Sequence, residues 1–226
     1  MRKLLSVRTM DLEEYKRRFA EDSSPGWDLL DVRLHEVYGD LEPRHWGTII
    51  SHRLGGPDPL DGISAYPCDD GPIDHLHFVT FGYSSLYYDE ESVGGAFSKF
   101  GFEMTFRLAS RLPPQEEPIW VCNLLQNLAR YVFESGKWFG NHHWIPANGP
   151  ICVDQDTDIV GLAFVYDTKL QAVETPHGHV EFIQAFGLTQ SELDSLMNKS
   201  KKCEEIIELH RKLNPLLVTD LARKDG

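Results

Sequence analysis

The chain has 226 residues, 41 % of them hydrophobic, 11 % aromatic and 25 % charged, which suits one globular domain with a sizeable core and excludes a disordered or fibrous chain. With 22 Lys plus Arg against 35 Asp plus Glu the formal net charge is −13, a field that keeps the protein soluble, repels nucleic acid and anionic membranes, and favours a basic partner. No run approaches the ~20 apolar residues of a membrane span, and the charged N-terminus has no sustained apolar stretch, so a cytoplasmic protein is expected.

In chain order, residues 11–22 read as a short, highly charged helix, and 1–24 as a segment peripheral to a main domain over 25–226. Ser24-Pro25 gives an N-cap with Pro at the first helical position. Trp27, Leu30, Leu34, Val37 and Tyr38 follow at helical spacing, and Gly39 closes that helix. Trp46 to His52 reads as a strand. Leu54-Gly-Gly-Pro-Asp-Pro-Leu-Asp61 is a rigid connection, because glycine frees φ and proline fixes it. Strands are expected at 63–67 and 75–81. An acidic loop with Asp89, Glu90 and Glu91 precedes the turn at Gly94-Gly95.

Residues 100–108 alternate strictly, with Phe102, Met104, Phe106 and Leu108 on one face and Glu103, Thr105 and Arg107 on the other. After a break at Pro113-Pro114, a helix is expected from about Pro118 to Ser135, with Val121, Leu124, Leu125, Leu128 and Val132 as its buried stripe and Gly136 as its C-terminal stop. Residues 138–149 read as a loop, and strands are expected at 150–153, 159–166 and 179–186. Thr189-Gln-Ser-Glu192 is a capping box, a charged helix spans about 201–213, and 216–219 is expected to return as a final strand. Strands clustered between helices without a βαβ rhythm predict an α+β fold, a mixed or antiparallel central sheet with flanking helices.

The chemistry-bearing residues form no recognisable catalytic set. Four widely spaced cysteines without C-x-x-C read as reduced, buried thiols. Gly55-Gly56 is not followed by a phosphate-binding G-K-[ST] helix, and neither G-x-S-x-G nor a dinucleotide fingerprint occurs. Asp154-Gln-Asp-Thr-Asp158 opens like a calcium loop, but Ile159 and Val165 stand where Gly and a bidentate Glu are required. Histidines pair at His75/His77, His142/His143 and His177/His179, and an H-x-H pair on a strand points both rings to one face. With Asp74 or Glu181 as carboxylate, such pairs offer the alternative of a metal-dependent hydrolase. Glu103 and Arg107 are read as members of cross-strand ion pairs. The expectation is a non-enzymatic protein with no cofactor, no metal and no catalytic residue.

Six segments together resemble the Suppressor of fused domain family: LGGPDPLD at 54–61, HFVTFG at 77–82 with Leu86-Tyr87 after it, FGFEMTFRL at 100–108, LARYVF at 128–133, ETPHG at 174–178 and LVTDLARKD at 217–225. In its length the chain is similar to the compact bacterial members; animal members carry a further C-terminal domain. The resemblance implies a single Suppressor-of-fused-like domain that works as a protein-binding, regulatory module. It also implies a partner-binding set of Phe78, Tyr87, Asp89 and Glu103, with Phe78 standing where the animal proteins carry tyrosine. For bacterial members it implies immunity proteins that neutralise a toxin by stoichiometric binding.

Overall fold

In the computed structural model, which describes residues 10–110 and 117–225, the strands form one sheet covered by helices on both faces. The elements are α1 (Leu12–Arg18), α2 (Pro25–Tyr38), β1 (Arg44–Gly47), a single 3₁₀ turn (His52–Leu54), β2 (Gly62–Cys68), β3 (His75–Phe81), β4 (Phe97–Ala109), α3 (Ile119–Ser135), β5 (Trp144–Pro146), β6 (Ile159–Tyr166), β7 (Val173–Thr175), β8 (Gly178–Thr189), α4 (Gln190–Met197) and α5 (Cys203–Arg211). The strand order is β1-β2-β3-β4-β8-β6-β5, with β7 paired to β8 outside that path. Neighbours run antiparallel except the central β4–β8 pair, which is parallel. The fold is α+β with a mixed sheet. The expected break at Pro113-Pro114 and the first nine residues of the N-terminal segment lie outside the described residues.

The alternation of β4 decides what each face holds. Phe102, Met104, Phe106 and Leu108 meet the α3 stripe of Val121, Leu125, Leu128, Ala129 and Val132. On the opposite face α2 places Leu30 and Leu34 on Tyr66, Val79 and Phe81, while α4 and α5 place Leu196, Ile206 and Ile207 on Ala163, Val165 and Phe186. Burying such side chains is worth about 1.5–3 kcal/mol each. The polar face of β4 lies between these two apolar patches, so Glu103, Thr105 and Arg107 are as inaccessible as the phenylalanines.

Local signals are realised where the chain supplies its own partners. The capping box is formed, with the Thr189 amide donating to Glu192 Oε2 at 2.9 Å. Gly136 ends α3 in the left-handed region at φ 67°. Three strand expectations are corrected. The strand expected over 46–52 ends at Gly47, because the Thr48 amide turns to the Asp61 carbonyl and the chain winds into the 3₁₀ turn. No strand forms at 150–153; Ile151 and Cys152 instead dip into the core, and β5 forms inside the expected loop by pairing with β6. Residues 216–219 make only a bridge, between Leu108 and Thr219.

The N-terminal helix is docked on the sheet's loops. Tyr15 is fully buried, its hydroxyl 2.9 Å from His177 Nε2 and accepting from the Asp89 amide at 3.0 Å. Lys16 pairs with Glu90 at 2.6 Å.

Candidate functional site

Glu103 is the organising group beneath the acidic loop. Its buried carboxylate accepts from the Gly82 amide (3.0 Å), the Ser84 amide (2.9 Å), the Ser84 hydroxyl (2.7 Å) and the Thr80 hydroxyl (2.7 Å). Burial pushes this carboxyl above the usual carboxylate range, and the donors from Ser84, Gly82 and Thr80 pull against that rise. Gly82 must be glycine: its φ is 140°, and a Cβ would sit 3.0 Å from Leu60 Cα. The arch of residues 80–84 is thereby fixed from behind by one carboxylate. The cross-strand ion pair expected for Glu103 is replaced by this hydrogen-bond cage, because the chain reversal after β3 points its own amides at the carboxylate.

The arch leads into the loop that carries Tyr87 and Asp89, both half-buried. Asp89 uses its carboxylate to fold the loop, accepting from the Glu91 amide at 3.1 Å and the Ser92 hydroxyl at 2.5 Å. Glu91 is exposed beside it. Tyr88 donates to Glu90 at 2.9 Å and packs on Tyr15, 4.9 Å between ring centroids. The result is an acidic, aromatic surface backed by α1 and by His177 of the β7–β8 turn.

Of the four residues expected to meet a partner, two are in the interior. Phe78 is fully buried, pairs across the sheet with Phe106 and stacks on Trp46. Glu103 is equally inaccessible. The physical reason is common to both: their strands are central and the sheet is covered on each face. Tyr87 and Asp89 reach the surface.

A second polar cluster was not anticipated from sequence beyond Arg107 itself. Asp167, just after β6, reaches over the sheet and receives Arg107 through two bonds of 2.9 Å. Thr105 donates to the same carboxylate at 2.7 Å, as do the Lys169 (2.8 Å) and Leu170 (3.0 Å) amides. Arg107 also donates to Gln184, whose amide holds the Leu216 and Leu217 carbonyls at 2.9 and 2.8 Å. His77 stands opposite Arg107 in the register, with Nε2 3.0 Å from Asp167 Oδ2 and Nδ1 against the Tyr38 hydroxyl. Burial and the Arg107 charge push His77 down to about 4, so the ring is neutral. Burial alone raises Asp167, but Arg107 and His77 overcome it and hold the carboxyl well below its usual range.

The paired histidines do not converge on shared ligand positions. His77 is spent on Tyr38 and Asp167, whereas His75 turns its Nδ1 to the Ile73 carbonyl at 2.9 Å. His177 faces Tyr15, while His179 faces Glu174 (2.5 Å) and Glu181 (3.1 Å). Those two carboxylates raise the His179 pKa against the lowering effect of burial. His142 and His143 line a groove of about 750 Å³ with Tyr131, Trp138, Phe139 and Trp144, alongside edge strand β5. Trp138 is 65 % exposed there. Among the described residues no helix is long and apolar enough to cross a membrane.

Comparison with known proteins matches residues 56–224 to the family described as "Suppressor of fused protein (SUFU)". The chain is 34 % identical over 210 residues to the Suppressor of fused homolog of Homo sapiens, which covers 84 % of this chain and 43 % of that protein, and equally so to the mouse homolog. It therefore spans less than half the length of these relatives. Among solved structures, it is similar to the Sufu-Fu complex crystal structure (TM-score 0.81, 29 % identity, covering 90 % of this chain and 93 % of that one). It is also similar to Drosophila Suppressor of Fused (TM-score 0.80, 30 % identity, 92 % of this chain and 52 % of that one). A homolog from Neisseria gonorrhoeae FA 1090, at TM-score 0.59 and 11 % identity over 88 % of this chain and 96 % of that one, shares the fold.

Proposed function

The chain belongs to the Suppressor of fused family, and from that premise we propose that it is a non-enzymatic regulatory module that binds a protein partner through the surface of Tyr87, Asp89 and Glu91. The observation that carries this reading is the Glu103 cage. A carboxylate buried behind the 80–84 arch fixes the backbone from which the loop emerges, so a partner meets a preformed surface and pays little ordering entropy. Glu103 contributes by shaping that surface from within, whereas Phe78 packs into the α3-side core. The net charge of −13 supports a partner with a basic face, drawn in by electrostatic steering. The relative whose structure is described as the Sufu-Fu complex binds a protein partner, which supports the same class of function here.

The sharpest form of the proposal is an immunity protein that covers the basic cleft of a toxin in a stoichiometric complex, which the acidic balance supports. Co-purification from the native host, followed by binding measurements on the recovered partner, tests the reading. Tyr87→Ala and Glu91→Lys weaken the complex at least about tenfold, the range of a single interface hot spot, and added salt weakens it further. Trp138→Ala leaves it unchanged. If Trp138→Ala abolishes binding while Tyr87→Ala does not, the groove beside β5 is the interface and the acidic loop is not. Protection of cells against a toxin encoded beside the gene tests the immunity form separately.

A further inference from the structure

The β2–β3 hairpin brings together a ligand set that neither the histidine pairing nor the cysteine spacing reveals. Cys68 closes β2 and His75 opens β3, and the antiparallel register places them directly opposite one another. Asp70 comes from the loop between them. Cys68, Asp70 and His75 each offer a ligand atom, and these three atoms lie within 4.8 Å of one another. Tetrahedral zinc needs ligand atoms on the order of 3.5 Å apart, given bonds of about 2.0–2.3 Å. Asp70 is exposed and Cys68 half-buried, so small rotations of those side chains close the difference.

We propose that Cys68 Sγ, the Asp70 carboxylate and His75 Nε2 bind a zinc-class divalent cation, with solvent as fourth ligand.

Two features beyond proximity support the site. The first is the orientation of His75. Its Nδ1 donates to the Ile73 carbonyl at 2.9 Å, which leaves the lone pair of the neutral ring on Nε2. A backbone acceptor fixing the other ring nitrogen is the usual outer-shell support of a metal-bound histidine. His75 is only 2 % exposed, so that ring is also held by its surroundings. The second is the loop. The Ser110 amide donates to the Asp74 carbonyl at 2.8 Å, and a Cβ on Gly71 would lie 2.8 Å from Leu216 Cδ1, so the 69–74 turn is pinned against the C-terminal segment. The set is thus presented by a held hairpin.

The donor types choose the ion. A thiolate with an imidazole selects zinc over calcium or magnesium, which take oxygen ligands. Binding forms the metal–sulfur bond and releases the thiol proton to solvent, with no change of oxidation state. Two cations oppose it. Arg107 is already neutralised by Asp167, but Lys169 pairs with Asp70 and competes directly. Lys169 is partly exposed and free to swing outward. It therefore sets the affinity of the site.

Titration of the full chain, stripped of metal, with cobalt(II) and then zinc tests the site. One equivalent of cobalt is expected to give a thiolate-to-metal charge-transfer band that zinc abolishes. Cys68→Ser removes the band, Asp70→Asn weakens zinc at least about tenfold, as loss of even an outer-shell partner does elsewhere, and Lys169→Gln tightens it. Asp70 is exposed and Lys169 partly so, and serine is close to cysteine in size at Cys68, which packs on the α2-side cluster; thermal melts of the three variants check that they fold. His75→Gln, at a buried position, is read only alongside its thermal melt. The proposal is overturned if the parent chain gives no band, if the band survives Cys68→Ser, or if zinc affinity is the same in the parent and Asp70→Asn proteins.

Discussion

Arg107 and Asp167, 60 residues apart in the chain, meet in a bidentate ion pair with both bonds at 2.9 Å and both side chains buried. The pair stitches β4 to the connection after β6 and lies between the two apolar patches of its face. It is also the node on which His77, Thr105 and Gln184 converge.

Removing one partner of this pair leaves a buried, uncompensated charge. Asp167→Asn is expected to lower stability by about 3–5 kcal/mol. The double variant Arg107→Met with Asp167→Leu is expected to recover only part of that loss: it removes the desolvation penalty of both ions but strands the Thr105 hydroxyl and the Lys169 and Leu170 amides that the carboxylate accepted. Urea unfolding of the single and double variants measures the difference.

His77 gives a separate acid sensitivity. Its folded pKa, about 4, lies below the ~6.5 of the unfolded chain, so the unfolded state binds more protons between those values. Stability is therefore complete above pH ~6.5 and falls as the pH drops toward 4. The loss is on the order of 3 kcal/mol at 1.36 kcal/mol per unit. Asp167, whose carboxyl is also depressed, extends the loss below pH ~4. His77→Gln flattens the slope between pH 6.5 and 4, and chemical denaturation across that range detects it.

The cage around Glu103 predicts a local effect. Glu103→Gln places an amide N–H₂ among hydroxyl and amide donors and strands at least one of them, at a cost of about 1–3 kcal/mol. Hydrogen exchange is expected to rise first at the Gly82 and Ser84 amides, which bond to this carboxylate, and partner affinity falls as the loop loosens.

Gly26 separates helix propensity from packing. It occupies the first turn of α2, where alanine would ordinarily stabilise by about 0.5–1 kcal/mol. A Cβ there would lie 2.0 Å from the Ser85 carbonyl oxygen, and the Gly26 amide donates to the Leu86 carbonyl at 3.0 Å. Gly26→Ala is therefore expected to destabilise, by about 1–3 kcal/mol. A thermal melt gives the sign directly.

The sequence by itself determined what local chemistry can specify. The alternation of Phe102 to Leu108 marked a strand, the Thr189–Glu192 box and Gly136 marked helix ends, and the six motif segments placed the chain in its family. Those signals reside in a few adjacent residues and survive without knowledge of the rest of the chain. Tertiary structure decided which face of each strand is covered and which distant residues meet. Phe78 and Glu103 carry no mark that distinguishes a surface aromatic or acid from a buried one. Phe78 is buried on the α3 face beside Phe106 and Trp46, and Glu103 on the face opposite α3. β5 and β7, three residues each, are too short to show a period; β5 exists because β6 offers it an open edge, and β7 because the start of β8, at residues 178–180, extends beyond its pairing with β6. Cys68 faces His75, and Arg107 finds Asp167, through strand register and chain crossing, which only the folded sheet fixes.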